Sequence, residues 1–315
     1  MDGRVADPQS SRDFTARLDA VAAETDALLD ALLDGKPAAG EVARPPRLLE
    51  AMRHASLGGG KRLRPFLLVE TATLFGAPRE RALMAGAALE CVHCYSLVHD
   101  DLPAMDNDDL RRGRATVHRA FDESTAILAG DALLTFAFDL MTRPAVHPDP
   151  QIRLALVSEL ARAAGLGGMA GGQLLDLAAE GRFDKQRKAG EAGVTAMQAM
   201  KTGALIRFAC RAGAIIGNAD AVAREALDRY GRAVGQAFQI ADDLLDLGGD
   251  AAVMGKGASK DAVAGKATLP GVLGADAARA KLKTLVAEAD DALKPFASKA
   301  VVLRAAAHFV AERRN

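Results

Sequence analysis

The chain has no tryptophan and few aromatic residues, and both shortages narrow its fold class. Only 4% of the residues are aromatic, although 50% of the 315 are hydrophobic. Ala and Leu supply most of the apolar residues, and stretches of alternating β-branched residues are scarce. Because this composition favours helices over sheets, we expect an all-α protein with a substantial buried core.

The chain also lacks a charge excess, a disulfide framework and a long apolar run. The formal net charge of −1 gives no electrostatic basis for general nucleic-acid binding. Three cysteines are too few for a disulfide scaffold and suit a reducing compartment. No apolar stretch approaches about 18 residues, and the first residues do not form a basic-then-apolar signal pattern. We therefore expect a cytoplasmic protein without a transmembrane segment.

Apolar residues recur with helical spacing along most of the chain. In the clearest case, from Asp13 to Asp34, they fall at i, i+3, i+4 and i+7. The Gly- and Pro-rich interruptions are too short to link separate domains, and residues 1–10 have the character of a disordered terminus. The sequence predicts a single domain over residues 1–315, a large bundle of about ten or more helices around a central substrate cavity.

Two clusters of aspartates are the most informative feature of the sequence. Each follows a long apolar run, where packed carboxylates repel one another and resist desolvation unless a cation lies among them. Carboxylate oxygens suit hard cations, and Mg²⁺ commonly bridges a few carboxylates to substrate phosphates. We expect the clusters to form two walls of one cavity that holds a diphosphate through Mg²⁺. Their members are Asp100, Asp101, Asp106, Asp242, Asp243 and Asp246.

Helical geometry orders the residues around the first cluster, which follows a predicted helix over 79–102. His93 and Asp100 are seven residues apart, so they lie about 20° apart around the axis and ~10 Å apart along it. Leu102 precedes Pro103, which disfavours continuing the helix. Asp106 is therefore expected to reach a metal ion from an irregular segment.

The second cluster follows the same geometry. Gln239, Asp242 and Asp246 fall at i, i+3 and i+7 and share one helix face. Asp243 is turned ~100° from Asp242, so it ranks below the others as a ligand. Isolated acidic pairs at helix ends are usually solvated, but two such arrangements after apolar helices favour metal binding.

Basic residues with glycine neighbours supply the positive charge that diphosphates need. The run Gly58–Gly60 precedes three basic residues at the start of an apolar helix, where free backbone N–H groups and Arg side chains favour an anion. Its spacing is not that of a Walker A motif. Each basic residue alone is typical of solvated surface, but together with the aspartates they predict sites for two diphosphates. The candidates are Lys61, Arg62, Arg64, Arg111, Arg112, Arg114, Lys201, Lys256, Lys260 and Lys266.

In order and spacing, these motifs resemble those of the trans-isoprenyl diphosphate synthases, over roughly residues 45–275. The motifs are Gly-Gly-Lys-Arg-Leu-Arg-Pro, Asp-Asp-x4-Asp with Arg-Arg-Gly, Ala-Gly-Asp-Ala, Gly-Gly-Gln-x-x-Asp, Lys-Thr-Gly, Phe-Gln-x-x-Asp-Asp-x-x-Asp and Gly-Lys-Ala-Thr-Leu-Pro. The spacing of the first aspartate cluster resembles that of bacterial farnesyl and of plant or bacterial geranylgeranyl enzymes. The resemblance implies a Mg²⁺-dependent head-to-tail prenyltransferase that forms a homodimer.

The resemblance also implies a role for each matching residue. Mg²⁺ would be held by Asp100, Asp106 and Asp242, with Asp101 and Asp246 in support. Isopentenyl diphosphate would bind Lys61, Arg64, His93 and Arg112. The pyrophosphate leaving an allylic substrate, dimethylallyl or geranyl diphosphate, would be neutralised by Arg111, Lys201, Lys256 and Lys266. The catalytic residues at the reacting centre would be Lys201, Thr202 and Gln239.

The implied reaction begins with ionisation of the allylic C–O bond. The double bond of isopentenyl diphosphate attacks the carbocation, and the condensed cation loses a proton. A closed cavity keeps water from trapping the cation. Because no side chain is an obvious strong base, the released pyrophosphate is expected to take the proton.

Product length would depend on residues below the first aspartate cluster. Tyr95, five positions before Asp100, resembles the aromatic plug of bacterial farnesyl synthases, and Ser96 beside it is small. Helix geometry alone places Tyr95 ~140° from Asp100, so the plug role rests on the resemblance. The expected product is farnesyl diphosphate, with geranylgeranyl diphosphate as the alternative.

Two other functions and one other metal site are alternatives to this interpretation. A terpene cyclase-like lyase would share the all-α cavity and Asp-bound Mg²⁺ but would need no second diphosphate site, and aromatic residues that shield a travelling carbocation are scarce here. A catalytically silent partner subunit would be expected to lack acidic ligands. The pair Cys91 and Cys94 could suggest zinc, but no second ligand pair with suitable spacing follows.

Two positions depart from the family's usual pattern. Ala115 stands where Pro is usual, and Ser259 stands where Gly is usual. Either change can alter a loop, but neither removes a ligand. Arg313 and Arg314 resemble a basic tail that closes over the substrate in some relatives, although a solvated end explains them equally well.

Overall fold

The structure, a computed structural model, describes residues 8–183, 190–252 and 267–312. Helices dominate these residues, so the predicted all-α class is confirmed. The first helices are α1 (Pro8–Leu32), α2 (Pro46–Ser56), α3 (Leu63–Thr73), α4 (Arg79–Asp100), α5 (Val117–Ala120), α6 (Glu123–Thr142) and α7 (Pro150–Ala164). The later helices are α8 (Met169–Ala179), α9 (Glu191–Gln198), α10 (Ala204–Ile216), α11 (Ala221–Ala252), α12 (Leu269–Leu273), α13 (Ala275–Ala292) and α14 (Val301–Glu312).

Two short helical segments are not α-helical. A π-helical turn, Ala199–Gly203, joins α9 to α10, and a 3₁₀ segment, Lys294–Ala300, precedes α14. The helical periodicity of the sequence does not predict this π-turn. At the other end of the chain, α1 begins at Pro8, so residues 8–10 are helical.

Strands β1 (Leu110–Arg111) and β2 (Arg114–Ala115) form a small antiparallel hairpin within this helical protein. The two turn residues, Arg112 and Gly113, have φ angles of 53° and 76°. Two consecutive positive φ values are typical of the type I′ turn, which closes a two-residue hairpin with the twist of its strands. The helical periodicity of the sequence does not predict this hairpin.

The chain divides into two compact units. The first comprises residues 15–157 and 215–217, and the second comprises residues 1–14, 158–214 and 218–315. In the first unit, α4 packs against α2, α3 and α6. The centre of α4 is buried on nearly all sides, as expected for a helix enclosed by others.

The second unit is organised around α11, which packs against the π-turn, α13 and α14. Tyr230 of α11 is fully buried, and its hydroxyl donates a hydrogen bond of 2.7 Å to the carbonyl of Leu303 in α14. The bond satisfies the polar end of an otherwise apolar side chain, as burial of a Tyr requires.

Helix α6 is long and apolar enough to cross a membrane, and it is the one such helix among the described ranges. Of its most apolar window, 44% is buried, and it packs along α4. Length and composition alone do not separate a membrane span from a buried core helix.

Candidate active site

The first aspartate cluster lies at the end of α4. The helix ends at Asp100, and the backbone N–H of Asp106 donates to the Asp100 carbonyl at 2.8 Å. The predicted stop before Pro103 and the irregular position of Asp106 are therefore confirmed. Carbonyl groups at a helix C-terminus carry partial negative charge, so carboxylates there are electrostatically unfavourable without a cation.

Asp101 has its positive partner in the hairpin. Nε of Arg111 donates to both Asp101 carboxylate oxygens, at 2.8 and 3.0 Å. Asp101 is only 3% exposed, and this burial raises its pKa, while the Arg111 guanidinium opposes the rise. The pair places a positive charge beside the cluster.

A basic group forms where the glycine loop before α3 meets the hairpin. Arg112 donates a hydrogen bond to the carbonyl of Gly59, and a Cβ on Gly60 would overlap the Arg112 guanidinium. Gly60 also has a φ of 131°, which L side chains rarely adopt. These glycines therefore allow a close approach that brings Arg112 beside the segment carrying Lys61.

His93 lies within this basic group. Burial, followed by the charges of Arg64 and Arg112, lowers its pKa well below 6.5. Smaller contributions of the same sign come from Arg62 and Arg111. The structure thus brings His93 together with Arg64 and Arg112, all three predicted to bind the second diphosphate, and the charges of the two arginines favour an anion.

Arg62 differs from its neighbours in the same motif. Its side chain is 1% exposed and forms an ion pair of 2.6 Å with Glu90, whose side chain is 3% exposed. It also contacts Asp26 of α1. The Arg62 side chain is therefore buried in the first unit and paired there, whereas Lys61 beside it is exposed.

In the second unit, the π-turn places Lys201 and Thr202. Nζ of Lys201 lies 2.5 Å from a carboxylate oxygen of Asp176 in α8. A Cβ on Gly172 would overlap the Lys201 backbone, so α8 can approach the turn only at a glycine. Inserted π-turns are frequent at functional sites, because they redirect side chains within a helix.

A partly buried hydrogen-bond network connects the π-turn to the second aspartate cluster. The Thr202 hydroxyl donates to Gln239 at 2.7 Å, and the Gln239 amide donates to Asp243 at 2.9 Å. Asp243 also accepts from the Gln198 amide at 2.7 Å and the Leu269 backbone N–H at 3.3 Å.

Asp243 therefore holds the network together. It is 5% exposed, and burial raises its pKa while the hydrogen bonds oppose the rise. Asp242 is half-buried and Asp246 is exposed. This division agrees with the helix-face argument, which ranked Asp243 below its neighbours as a metal ligand.

The described residues do not form a metal cage by themselves. Among them, no three Asp, Glu, His or Cys side chains lie close enough to hold an ion. Mg²⁺ usually takes one or two carboxylates and completes its shell with water and substrate phosphates. The oxygen-only donors of the two clusters fit that requirement. Lys256 and Lys266, predicted to bind substrate, lie outside the described residues, as do Ser259, Lys260, Arg313 and Arg314.

Some contacts at the site are not predictable from motif spacing. Gly130 of α6 leaves room for the ring of His99, since a Cβ there would overlap the imidazole. Nε2 of His99 lies 3.1 Å from the carbonyl of Ile127. The glycine in the Ala-Gly-Asp-Ala motif is the one sequence signal for this helix contact.

Comparisons with known proteins agree with this arrangement. The Polyprenyl synthetase family model matches residues 45–301. The chain belongs to this family. It is 44% identical to the farnesyl diphosphate synthase of Escherichia coli, over 84% of this chain and 89% of that protein. It is 39% identical to geranylgeranyl pyrophosphate synthase 9 of Arabidopsis thaliana, over 100% of this chain and 85% of that protein.

A solved structure agrees with the fold of this polyprenyl synthetase. The apo crystal structure of an FPP/GFPP synthase from Zymomonas mobilis superposes with a TM-score of 0.84 at 43% identity, covering 96% of this chain and 99% of that one. The predicted family and the predicted enzyme class are confirmed: the chain is a prenyltransferase of isoprenoid biosynthesis.

Proposed function

We propose that this prenyltransferase condenses isopentenyl diphosphate head-to-tail with dimethylallyl or geranyl diphosphate, and that farnesyl diphosphate is its product. The observation that carries the proposal is the basic group around His93. Arg64 and Arg112 are close enough to depress the pKa of its imidazole, so this region favours an anion in addition to the one that the aspartate clusters favour. A synthase with two diphosphate substrates needs two such regions, whereas a terpene cyclase-like lyase needs one.

The basic group would bind the isopentenyl diphosphate. Lys61 supplies an exposed ammonium, and Arg112 supplies a guanidinium held by the Gly59 carbonyl. Neutral His93 can donate one hydrogen bond to a phosphate oxygen without adding charge. Arg64 completes the set and adds its charge beside the imidazole.

The aspartate clusters would bind the allylic diphosphate. Asp100, Asp106, Asp242 and Asp246 are the carboxylates that would hold Mg²⁺. When bound, Mg²⁺ supplies the positive charge that stabilises a diphosphate leaving group. Arg111 stays paired with Asp101, and Lys201 stays paired with Asp176 in the absence of substrate.

The π-turn and α11 would act on the reacting carbons. Lys201 would neutralise the charge of the departing pyrophosphate. The Thr202 hydroxyl and the Gln239 amide would present oxygen dipoles to the nearby carbocation. Their mutual hydrogen bond and the Asp243 anchor hold these dipoles in one orientation before substrate arrives. With no strong base in this set, the released pyrophosphate takes the proton.

The expected stop at fifteen carbons depends on Tyr95 and Ser96. The Tyr95 ring is half-buried and packs edge-on against His99, with ring centroids 5.8 Å apart. Burial and the nearby Asp100 charge raise the pKa of its phenol, so the ring lies close to the first cluster. A similar relative is a geranylgeranyl pyrophosphate synthase, so a twenty-carbon product is the second candidate.

The oligomeric state and the cellular location of the enzyme are part of the same proposal. The enzyme would act as a homodimer in the cytoplasm, with no nucleic-acid partner. Three buried cysteines and the net charge of −1 are consistent with that setting.

Product analysis tests the proposed reaction directly. The purified protein is incubated with Mg²⁺, dimethylallyl diphosphate and isopentenyl diphosphate, and the prenyl products are identified by mass. A fifteen-carbon product supports both the synthase and the Tyr95 stop. A twenty-carbon product supports the synthase and contradicts the stop. If isopentenyl diphosphate remains untouched while the allylic diphosphate is cyclised or hydrolysed, the condensation is wrong.

A further inference from the structure

His54, at the end of α2, contacts two consecutive residues of the hairpin. Its Nε2 lies 2.7 Å from the Ala115 carbonyl oxygen, and its Nδ1 lies 3.2 Å from Nη2 of Arg114. A carbonyl can only accept a hydrogen bond and a guanidinium can only donate one. The two partners together therefore assign a neutral imidazole with its proton on Nε2. In this form His54 fastens α2 to strand β2.

The hairpin has little apolar packing to fix its orientation. Residues 112–115 are all exposed, and an isolated two-stranded hairpin is at best marginally stable. Arg112 also has a positive φ of 53°, a conformation that is unfavourable for a residue other than glycine. The polar contacts must therefore hold both the hairpin and this backbone conformation.

The same contacts join the hairpin to the glycine loop. A Cβ on Gly58 would lie 3.0 Å from Nη1 of Arg114, and Arg112 donates to the carbonyl of Gly59. The His54 carbonyl also lies 3.5 Å from the Cβ position of Gly58. Helix α2, the glycine loop and the hairpin thus meet at one point, immediately before Lys61.

Alanine at position 115 does not restrict its own backbone as a proline ring would, but its carbonyl is held by His54. The ring of His54 is supported in turn by Phe121, with ring centroids 5.9 Å apart in an edge-to-face arrangement.

We propose that His54 and Arg114 are positioning residues that hold the β1–β2 hairpin so that Arg112 can bind the diphosphate of isopentenyl diphosphate. They act through Arg112 and do not touch the substrate. This inference rests on the proposed function, because it assumes that the basic group is the second diphosphate site.

Steady-state kinetics of His54→Ala, His54→Gln and Arg114→Ala test the proposal. Both alanine variants are expected to raise the KM for isopentenyl diphosphate about tenfold, the effect of one net hydrogen bond, while the KM for the allylic substrate and Tm change little. His54→Gln should stay within about twofold of the unmodified enzyme, since an amide offers both a donor and an acceptor.

Arg47→Ala is the matched control. Arg47 lies seven residues before His54 on α2 and contacts Asp122 and the Phe121 ring, but no hydrogen bond joins it to the hairpin in the described structure. This variant is expected to leave the KM for isopentenyl diphosphate unchanged. A rise equal to that of His54→Ala would show that any change on this face of α2 has the effect, and would overturn the proposal.

Arg112→Ala separates the inference from the function on which it rests. If Arg112→Ala raises the KM for isopentenyl diphosphate while His54→Ala and Arg114→Ala do not, the positioning role is wrong and the proposed function stands. If Arg112→Ala itself has no effect, the second diphosphate site is misplaced and both fail. A parallel rise in both KM values with a lower Tm would indicate a general structural role, which also overturns the proposal. If His54→Ala does not fold, Arg114→Ala is compared with Arg112→Ala in its place.

Discussion

Lys201 Nζ lies 2.5 Å from the Asp176 carboxylate, and a glycine makes that distance possible. Gly172 is four residues before Asp176, so both face the π-turn from the same side of α8. The backbone of Lys201 occupies the space that a Cβ on Gly172 would need. Gly172 of the Gly-Gly-Gln-x-x-Asp motif thus has a packing reason that is independent of any ligand.

Replacing Gly172 with Ala is expected to reduce kcat by about 100-fold or more, because displacing a catalytic group by about 1 Å has effects of that size. The added methyl must push the π-turn away from α8 and move Lys201 and Thr202 with it. Activity and circular dichroism are measured together, so that a folded but inactive protein is recognised. Gly167→Ala is the control, since a Cβ at that position meets nothing within 4 Å and should change neither quantity. Full activity of Gly172→Ala would contradict the packing argument.

Structural features with a local cause can be predicted from this sequence, whereas features that depend on contacts with distant parts of the chain cannot. The end of α4 follows from the clash between Pro103 and the preceding residue, which is a local effect, and it is predicted to within two residues. The different orientation of Asp243 from Asp242 follows from the helix repeat in the same way. The π-turn is not predictable, because it arises where α8 and α11 approach it at Gly172 and Gly235, far away in the chain.

The hairpin shows the same limit. Its turn requires a positive φ at Arg112, a residue that rarely adopts one, so local preference argues against it. The pairing of Arg111 with Asp101 depends on that turn, so it cannot be predicted from the sequence either. Motif spacing could therefore select charged candidates for the site but could not predict the partners that hold them.

Breaking the buried pair of Arg62 and Glu90 is expected to destabilise the first unit strongly. Glu90→Gln should lower the free energy of unfolding by about 3–5 kcal/mol, because it leaves the Arg62 charge buried without its main counter-ion. Urea unfolding measures the change. The control is Glu24→Gln, which breaks the Arg79 pair between side chains that are 40% and 42% exposed and should cost at most about 1 kcal/mol. Equal effects of the two variants would show that burial does not set the strength of these pairs.

Tyr95→Ala is expected to shift the product from fifteen to twenty or more carbons. Removing the half-buried ring opens space beside His99, and the growing chain can extend into it. The chain lengths are measured by mass spectrometry at fixed substrate ratios. Ser96→Ala removes a hydroxyl without adding comparable space, so its products should match those of the unmodified enzyme. An unchanged product from Tyr95→Ala would show that the ring does not stop chain growth.

The cysteine thiols are expected to be unreactive in the folded protein. All three are buried, and burial raises the pKa of Cys94 to about 12 and that of Cys91 well above 9.0. Since the thiolate is the reactive species, titration with a chromogenic disulfide at pH 8 should label almost none of them until denaturant is added. Rapid labelling before unfolding would mean that α4 or α10 opens under native conditions.

His93 is expected to make folding stability fall as the pH is lowered below about 6.5. Its folded-state pKa is depressed by burial and by Arg64 and Arg112, so the unfolded chain binds this proton at a higher pH than the folded protein does. The contribution is absent above the unfolded pKa. It grows by at most about 1.4 kcal/mol per pH unit as the pH drops towards the folded pKa.

His93→Gln removes this titration while keeping a polar side chain of similar size. The difference in Tm between pH 7.5 and pH 5.5 should therefore be smaller in the variant than in the unmodified protein. His308→Gln is the control for loss of a histidine outside the basic group, since His308 pairs with Asp290 in the second unit. If His93→Gln shows the full loss of Tm on acidification, His93 already carries its proton among the arginines. The arginines of the basic group would then disfavour protonation of His93 less than their positions imply.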